Sequence, residues 1–215
     1  MKVAIVTANY GGIDKIHVPC KQKDHEVNFI CFDEKSIFPI FPDNYNNRMK
    51  YKYVKTHFLR IVPHYDMYIW IDGRIEVNSS EFVDYLVDMC YFHDIGAVIH
   101  PDRSTLAEEY DYLLKNMKTS EYLRVRYENE PFEEEIMAFK NHLGAKLYNA
   151  RLFVIRHDYY DFMGAWYELI KKYTIFDQSQ FTYLLDKCSK MIRKKELYWD
   201  DLHKYCKTNK HIKLM

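Results

Sequence analysis

The chain has 215 residues, 48% of them hydrophobic and 17% aromatic, enough apolar side chain for one substantial core in a single domain. Its 31 lysines and arginines balance 31 aspartates and glutamates, so no global field attracts nucleic acid or an anionic membrane, which argues against a general DNA or RNA binder. No apolar run approaches the roughly 20 residues that span a bilayer, and "MKVAIVTANY" enters a strand-like run without a cleavage site, so the expectation is a soluble, cytoplasmic protein with no membrane span.

Residues 2–7 ("KVAIVT") predict the first strand. The "TANYGG" that follows offers hydrogen bonds from Thr7, Asn9 and Tyr10, a ring face from Tyr10, and close backbone approach at Gly11 and Gly12. It lacks the GxGxxG spacing of a dinucleotide site, and an ordinary tight turn explains it equally well. Residues 27–32 predict a second strand, and 38–50, with two prolines and three asparagines, a long surface loop. From 49 to 62, Tyr51, Val54, Phe58 and Ile61 recur at helical spacing up to Pro63. Lys52 and Lys55 share a face of that helix, either a solvated one or one that offsets phosphate charge.

The third strand, 67–72, ends in Asp72-Gly73-Arg74. Asp-Gly is common turn chemistry, yet a carboxylate at the end of a buried strand, beside two lysines, also suits a metal-bound diphosphate. Asn78 and Glu81 predict a capping box for a helix at 79–92. Residues 95–99 predict a strand, 104–127 and 132–141 helices, with Glu133, Glu134 and Glu135 solvated in a first turn. Residues 147–155 predict a strand interrupted by Asn149, and 158–173, 177–192 and 199–206 further helices. Asp177, at a helix start, is either a cap or a group turned to the sheet edge. The tail from about 190 is expected to lead to a linker. No HxxxH or HExxH spacing supports a zinc hydrolase, and Cys20, Cys31, Cys90, Cys188 and Cys206 suit reduced thiols.

Strands alternating with helices imply an α/β/α sandwich with a largely parallel central sheet, whose ligands sit at the carboxyl ends of its strands.

The ordered series "YIWIDGRIEV", "IHPDR", "RLFVIRH", "WYELI" and "DQSQFTYLL", from about residue 3 to residue 187, resembles a family of glycosyltransferases that includes plant mucilage-related enzymes and many bacterial and viral proteins. The length and start also resemble the N-terminal domain of a large multidomain glycosyltransferase of chlorella viruses, which implies further domains and a host cytoplasm. The resemblance implies a GT-A fold over residues 1–215. Against retaining galactosyltransferases of the glycogenin-like kind, Asp72-Gly73-Arg74 stands in the place of the DxD motif, with Mn²⁺ or Mg²⁺ on Asp72. Lys55 matches a basic residue on the preceding helix, Asn149-Ala150-Arg151 the NAG motif, and Asp177-Gln178-Ser179 the DQD motif. Arg74 departs from the pattern because it ligates no metal, which leaves Glu76 or a tail histidine to complete the shell.

The implied activity is metal-assisted transfer of a hexosyl or deoxyhexosyl group from a UDP-sugar to a glycan hydroxyl, with retention. Asp177, Gln178 and Asn149 are then catalytic, and Thr7, Asn9, Tyr10, Lys55, Asp72, Gly73 and Arg74 bind the nucleotide sugar. The alternatives are a sugar-phosphate nucleotidyltransferase, or a catalytically inactive module that binds nucleotide sugars.

Overall fold

Runs rich in valine, isoleucine and aromatic residues become the central strands, because such side chains fill a pleated surface covered on both faces. The computed structural model describes residues 1–62 and 64–211, so Pro63 and the last four tail residues lie outside it. In chain order the first half comprises β1 (Lys2–Ala8), β2 (Glu26–Phe32), α1 (Asn47–Ile61), β3 (Met67–Ile71), β4 (Ile75–Val77), α2 (Phe82–Cys90) and β5 (Ile95–Ile99). Then follow α3 (Leu106–Met117), α4 (Glu121–Tyr127), α5 (Phe132–Ala138), a 3-10 turn (Lys140–His142) and β6 (Tyr148–Arg156). The chain continues through α6 (Tyr160–Lys172), α7 (Asp177–Lys187), β7 (Lys194–Leu197), α8 (Trp199–Leu202) and β8 (Cys206–Thr208).

Six strands form one sheet in the order β2-β1-β3-β6-β5-β7, and β4 pairs with β8 in a separate ribbon. β1 runs parallel to β2 and β3, β5 runs parallel to β7, and β6 is antiparallel to both of its neighbours, so five strands share one direction. Successive strand residues point to opposite faces. Ala4, Val6, Tyr68, Trp70, Phe153 and Ile155 therefore meet α1, α6 and α7 in one core, while Val3, Ile5, Met67, Ile69, Leu152 and Val154 meet α2, α8 and the β4–β8 ribbon in the other. This is the expected α/β/α sandwich. No helix among the described residues is long and apolar enough to cross a membrane.

Four local expectations change. The segment 104–127 is two helices, because the Ser120 hydroxyl accepts from the Leu123 amide at 3.3 Å and starts α4 afresh. Asn78 and Glu81 form no capping box: α2 begins at Phe82, and Glu81 pairs with Lys23 instead. The tail beyond 190 is built into the domain, with β7 on the edge of the sheet beside β5 and β8 beside β4. Glu135 is fully buried rather than solvated. Its carboxylate accepts from Tyr110 Oη at 2.6 Å, Ser179 Oγ at 2.5 Å, Gln180 Nε2 at 2.6 Å, and the Thr174 amide and hydroxyl at 3.1 and 2.8 Å. These bonds fasten the start of α7 to α3 and α5. Burial nevertheless outweighs them and lifts the Glu135 pKa above the ordinary carboxylate value.

Candidate functional site

The carboxyl ends of β1, β3 and β5 lie along one edge of the sheet, together with the amino end of the reversed β6. A cavity of about 380 Å³ opens there, walled by α1 and the start of α7. Its position follows from topology: side chains at these strand ends leave the sheet with no further strand to cover them.

Asp72 turns out to be both turn residue and cavity residue. Its amide donates to Arg151 O and its carbonyl accepts from the Ile75 amide, both at 2.8 Å, which closes the turn into β4. Its side chain meanwhile faces α1. Oδ1 accepts from Tyr51 Oη at 2.5 Å and Trp70 Nε1 at 3.0 Å, with Lys55 Nζ at 3.4 Å. Burial opposes the charge, but Lys55 and Tyr51 outweigh it and hold the carboxyl below its usual value.

Asp177 is the first residue of α7, yet it caps nothing. The cap position is Phe176, and the Asp177 carboxylate lies 2.7 Å from Lys52 Nζ through Oδ1 and 2.8 Å from Lys55 Nζ through Oδ2. Burial raises its pKa, but the two ammonium groups reverse the effect and keep it far below the ordinary range. Lys55, buried between Asp177 and Asp72, is driven above its ordinary value by those two charges against its own burial. For Lys52 burial wins over Asp177, with Lys55 alongside, and the pKa drops to about 8. Asp72, Lys55, Asp177 and Lys52 thus form one alternating, nearly enclosed chain of charges.

Seven lysines and arginines line the cavity against four carboxylates. Arg103 pairs with Glu109, whose other oxygen accepts from Gln178 Nε2 at 3.0 Å. Arg48, Arg74, Arg126 and Arg151 make no ion pair among the described residues. The lining is therefore suited to a polyanion.

The structure gathers Asn9, Tyr10, Lys55, Asp72, Arg74, Asp177 and Gln178 on this cavity. Asn9 pins its own loop, donating to Asp14 O at 2.8 Å and accepting from the Asp14 amide at 3.1 Å. Thr7 is instead buried within β1, off the cavity lining. Gly73 is a spacer: a Cβ there would lie 2.9 Å from Asp14 Oδ2, so glycine lets the β1 loop close over the end of β3. Asn149 is buried beside the cavity, its Oδ1 accepting from the Arg151 amide at 3.0 Å, and its Nδ2 has no partner among the described residues. Tyr51, Glu109, Arg48, Arg126 and Asp14 are additions that the sequence did not single out. Arg48, Lys52 and Lys55 stand at i, i+4 and i+7, a basic stripe that helical spacing makes visible; nothing local in the sequence marks the others.

Around Asp72 the described residues supply no cluster of three His, Cys, Asp or Glu ligands, so a metal there would depend on Asp72 and on oxygens of the diphosphate. Asp72 Oδ1 is covered by three donors, while its Oδ2 takes no hydrogen bond among the described residues. Glu76 turns away to Asn209 at 3.0 Å and Lys207 at 3.2 Å. The tail histidine His211 does reach the cavity, but it binds Asp14 Oδ1 at 2.6 Å.

No protein-family model matches the sequence, and no curated protein does. Solved structures do resemble it in fold. The bifunctional glycosyltransferase WbbM is 12% identical with a TM-score of 0.49, over 91% of this chain and 38% of that one. The galactosyltransferase LgtC, in complex with donor and acceptor sugar analogues, is 12% identical with a TM-score of 0.43, over 90% and 72%. A glycosyltransferase involved in glycosylation of the major capsid of PBCV-1 is 8% identical with a TM-score of 0.43, over 92% and 82%. The chain thus spans well under half of WbbM. At such identities the likeness concerns the fold alone.

Proposed function

We propose that this chain is a GT-A glycosyltransferase that moves a hexosyl or deoxyhexosyl group from a UDP-sugar to a glycan hydroxyl, with retention. The observation that carries the reading is the charge chain from Asp72 to Lys52 at the carboxyl end of β3, set in a cavity where Arg48, Arg74, Arg126 and Arg151 have no carboxylate partner among the described residues. An ionised, buried Asp177 is placed to favour the oxocarbenium-like charge that develops in glycosyl transfer. Gln178, fixed through its Nε2 by Glu109, stands next to it. Arg74, Arg151 and Lys55 receive the diphosphate, and their charges offset the one that develops on the leaving group. Tyr10 and Asn9 are assigned to the nucleoside. Asp72 is the residue that would hold Mn²⁺ or Mg²⁺ together with the diphosphate, and no step is routed through the ion. The order of the "WIDG" and "DQSQ" motifs supports placing the chain with the mucilage-related family.

Nucleotidyl transfer finds less support. Its triphosphate needs a cradle after the first strand, whereas here the Gly11 amide donates to Glu34, a carboxylate that repels phosphate. The inactive-module reading draws on Arg74 in the DxD position and on both oxygens of Asp177 already facing lysines. Incubation with a panel of nucleotide sugars and simple glycosides tests all three. Release of UDP with formation of a glycoside supports transfer; pyrophosphate formation from a sugar phosphate and UTP would replace it with nucleotidyl transfer; binding without turnover would leave an inactive module.

A further inference from the structure

Arg48, near the start of α1, and Arg126, near the end of α4, meet across the cavity wall. Arg48 Nη1 donates to Arg126 O at 2.9 Å, and both guanidinium groups lie over the Tyr127 ring, at 5.3 and 5.4 Å from its centroid. Arg126 also donates to Tyr122 Oη at 3.0 Å and Tyr127 Oη at 2.9 Å. Two guanidinium groups side by side repel each other, and neither has a carboxylate partner among the described residues. Glu130, whose field reaches Arg48, accepts from the Ile175 amide at 2.7 Å. Arg48 Nε and Nη2 are buried without any hydrogen-bond partner among those residues. Buried donors are nearly always satisfied, so these two mark a guanidinium that the protein leaves short of acceptors, on a side chain that lines the cavity.

The order of charges along the cavity says which ligand supplies them. Along α1, Lys55 reaches both Asp72 and Asp177, Lys52 one turn earlier reaches Asp177, and Arg48 stands a further turn towards the start of the helix. The Arg48–Arg126 pair therefore lies beyond Asp177 from the end where the diphosphate is placed. We propose that Arg48 and Arg126 form a second anion-binding subsite that takes a phosphate or carboxylate carried by the acceptor. The inference rests on the glycosyl-transfer reading for the word acceptor, and on the geometry alone for the anion.

The test compares neutral methyl glycosides with glycosyl 1-phosphates and methyl hexuronides as acceptors, in the parent and in Arg48→Gln, Arg48→Lys and Arg126→Gln. The parent is expected to show a KM at least about tenfold lower for the charged acceptors, the scale of one charge-assisted hydrogen bond. Either glutamine variant should remove most of that preference, with Arg48→Lys in between, a graded response that loss of folding does not give. Equal KM for charged and neutral acceptors in the parent would overturn the proposal. So would a preference confined to the donor, with the variants raising KM for UDP-glucuronate relative to UDP-glucose, since that would assign the anion to the donor sugar. If no nucleotide sugar is turned over, the functional reading fails separately, and calorimetry with glucose 1-phosphate decides for the subsite. Binding by the parent that Arg48→Gln and Arg126→Gln each weaken about tenfold supports it, and no binding by the parent contradicts it.

Discussion

Asp177 is held by two lysines that respond differently to pH. Lys52 has a folded pKa of about 8, below its ordinary 10.5. Between those values the unfolded chain binds more protons, so the Lys52 contribution makes stability rise with pH over that window. Anion binding has the opposite sign, because a bound diphosphate favours the charged ammonium. Since Lys52 lines the same cavity as the proposed diphosphate receivers, UDP affinity should fall between pH 7 and pH 9 by up to about tenfold, and Lys52→Met should flatten the profile. Calorimetry at the two pH values checks this; a pH dependence retained in Lys52→Met would show that the charge of Lys52 does not act on bound UDP. Asp177→Asn leaves two buried ammonium groups facing a neutral amide. Breaking a buried pair from one side costs about 3 kcal/mol, so the melting temperature should drop, and the transfer rate should fall by at least about a hundredfold. Parental values for both would make Asp177 a bystander. In the sequence Asp177 reads equally well as a helix cap, because the distinction lies in where Lys52 and Lys55 stand, not in any residue near 177.

The element that positions this chemistry is α7, and Glu135 is what holds its start. Glu135→Gln replaces two acceptor oxygens with one and turns an NH₂ group toward donors, either Tyr110 and Ser179 or Thr174 and Gln180. Leaving such buried groups unsatisfied costs about 1 to 3 kcal/mol. Urea denaturation should show that loss, and the transfer rate should fall with it because α7 carries Asp177 and Gln178. An unchanged urea midpoint would mean that the network is not what fixes α7. The glutamate triplet at 133–135 looked solvated because its composition is that of an exposed first turn; only the approach of Thr174 and Gln180 from another part of the chain buries one of the three. Core strands were legible for the opposite reason, since runs such as "MYIWI" carry their own burial signal. "KKEL" does not: as β7 it occupies a sheet edge, where charged side chains are tolerated and the apolar pattern disappears.

At the scale of the whole molecule, alternating strands and helices gave the sandwich, and the strand-end rule gave the edge of the sheet on which the cavity opens. The balance of charge inside that cavity was not legible, because Arg48, Arg126 and Arg151 come from three separate parts of the chain. Their surplus over the carboxylates would offset much of the diphosphate charge without help from a metal. UDP binding should accordingly weaken by less than about threefold when EDTA is added, an energy difference below about 0.7 kcal/mol, and a larger loss would restore a metal to the site. The most direct measurement for the account as a whole is a crystal structure of the protein with UDP bound. The account predicts the diphosphate within hydrogen-bond distance of Arg74 and Arg151, beside Lys55 at the carboxyl end of β3, with the uridine against Tyr10. A diphosphate bound away from Arg74, Arg151 and Lys55, or a cavity that stays without nucleotide at saturating UDP, would contradict it.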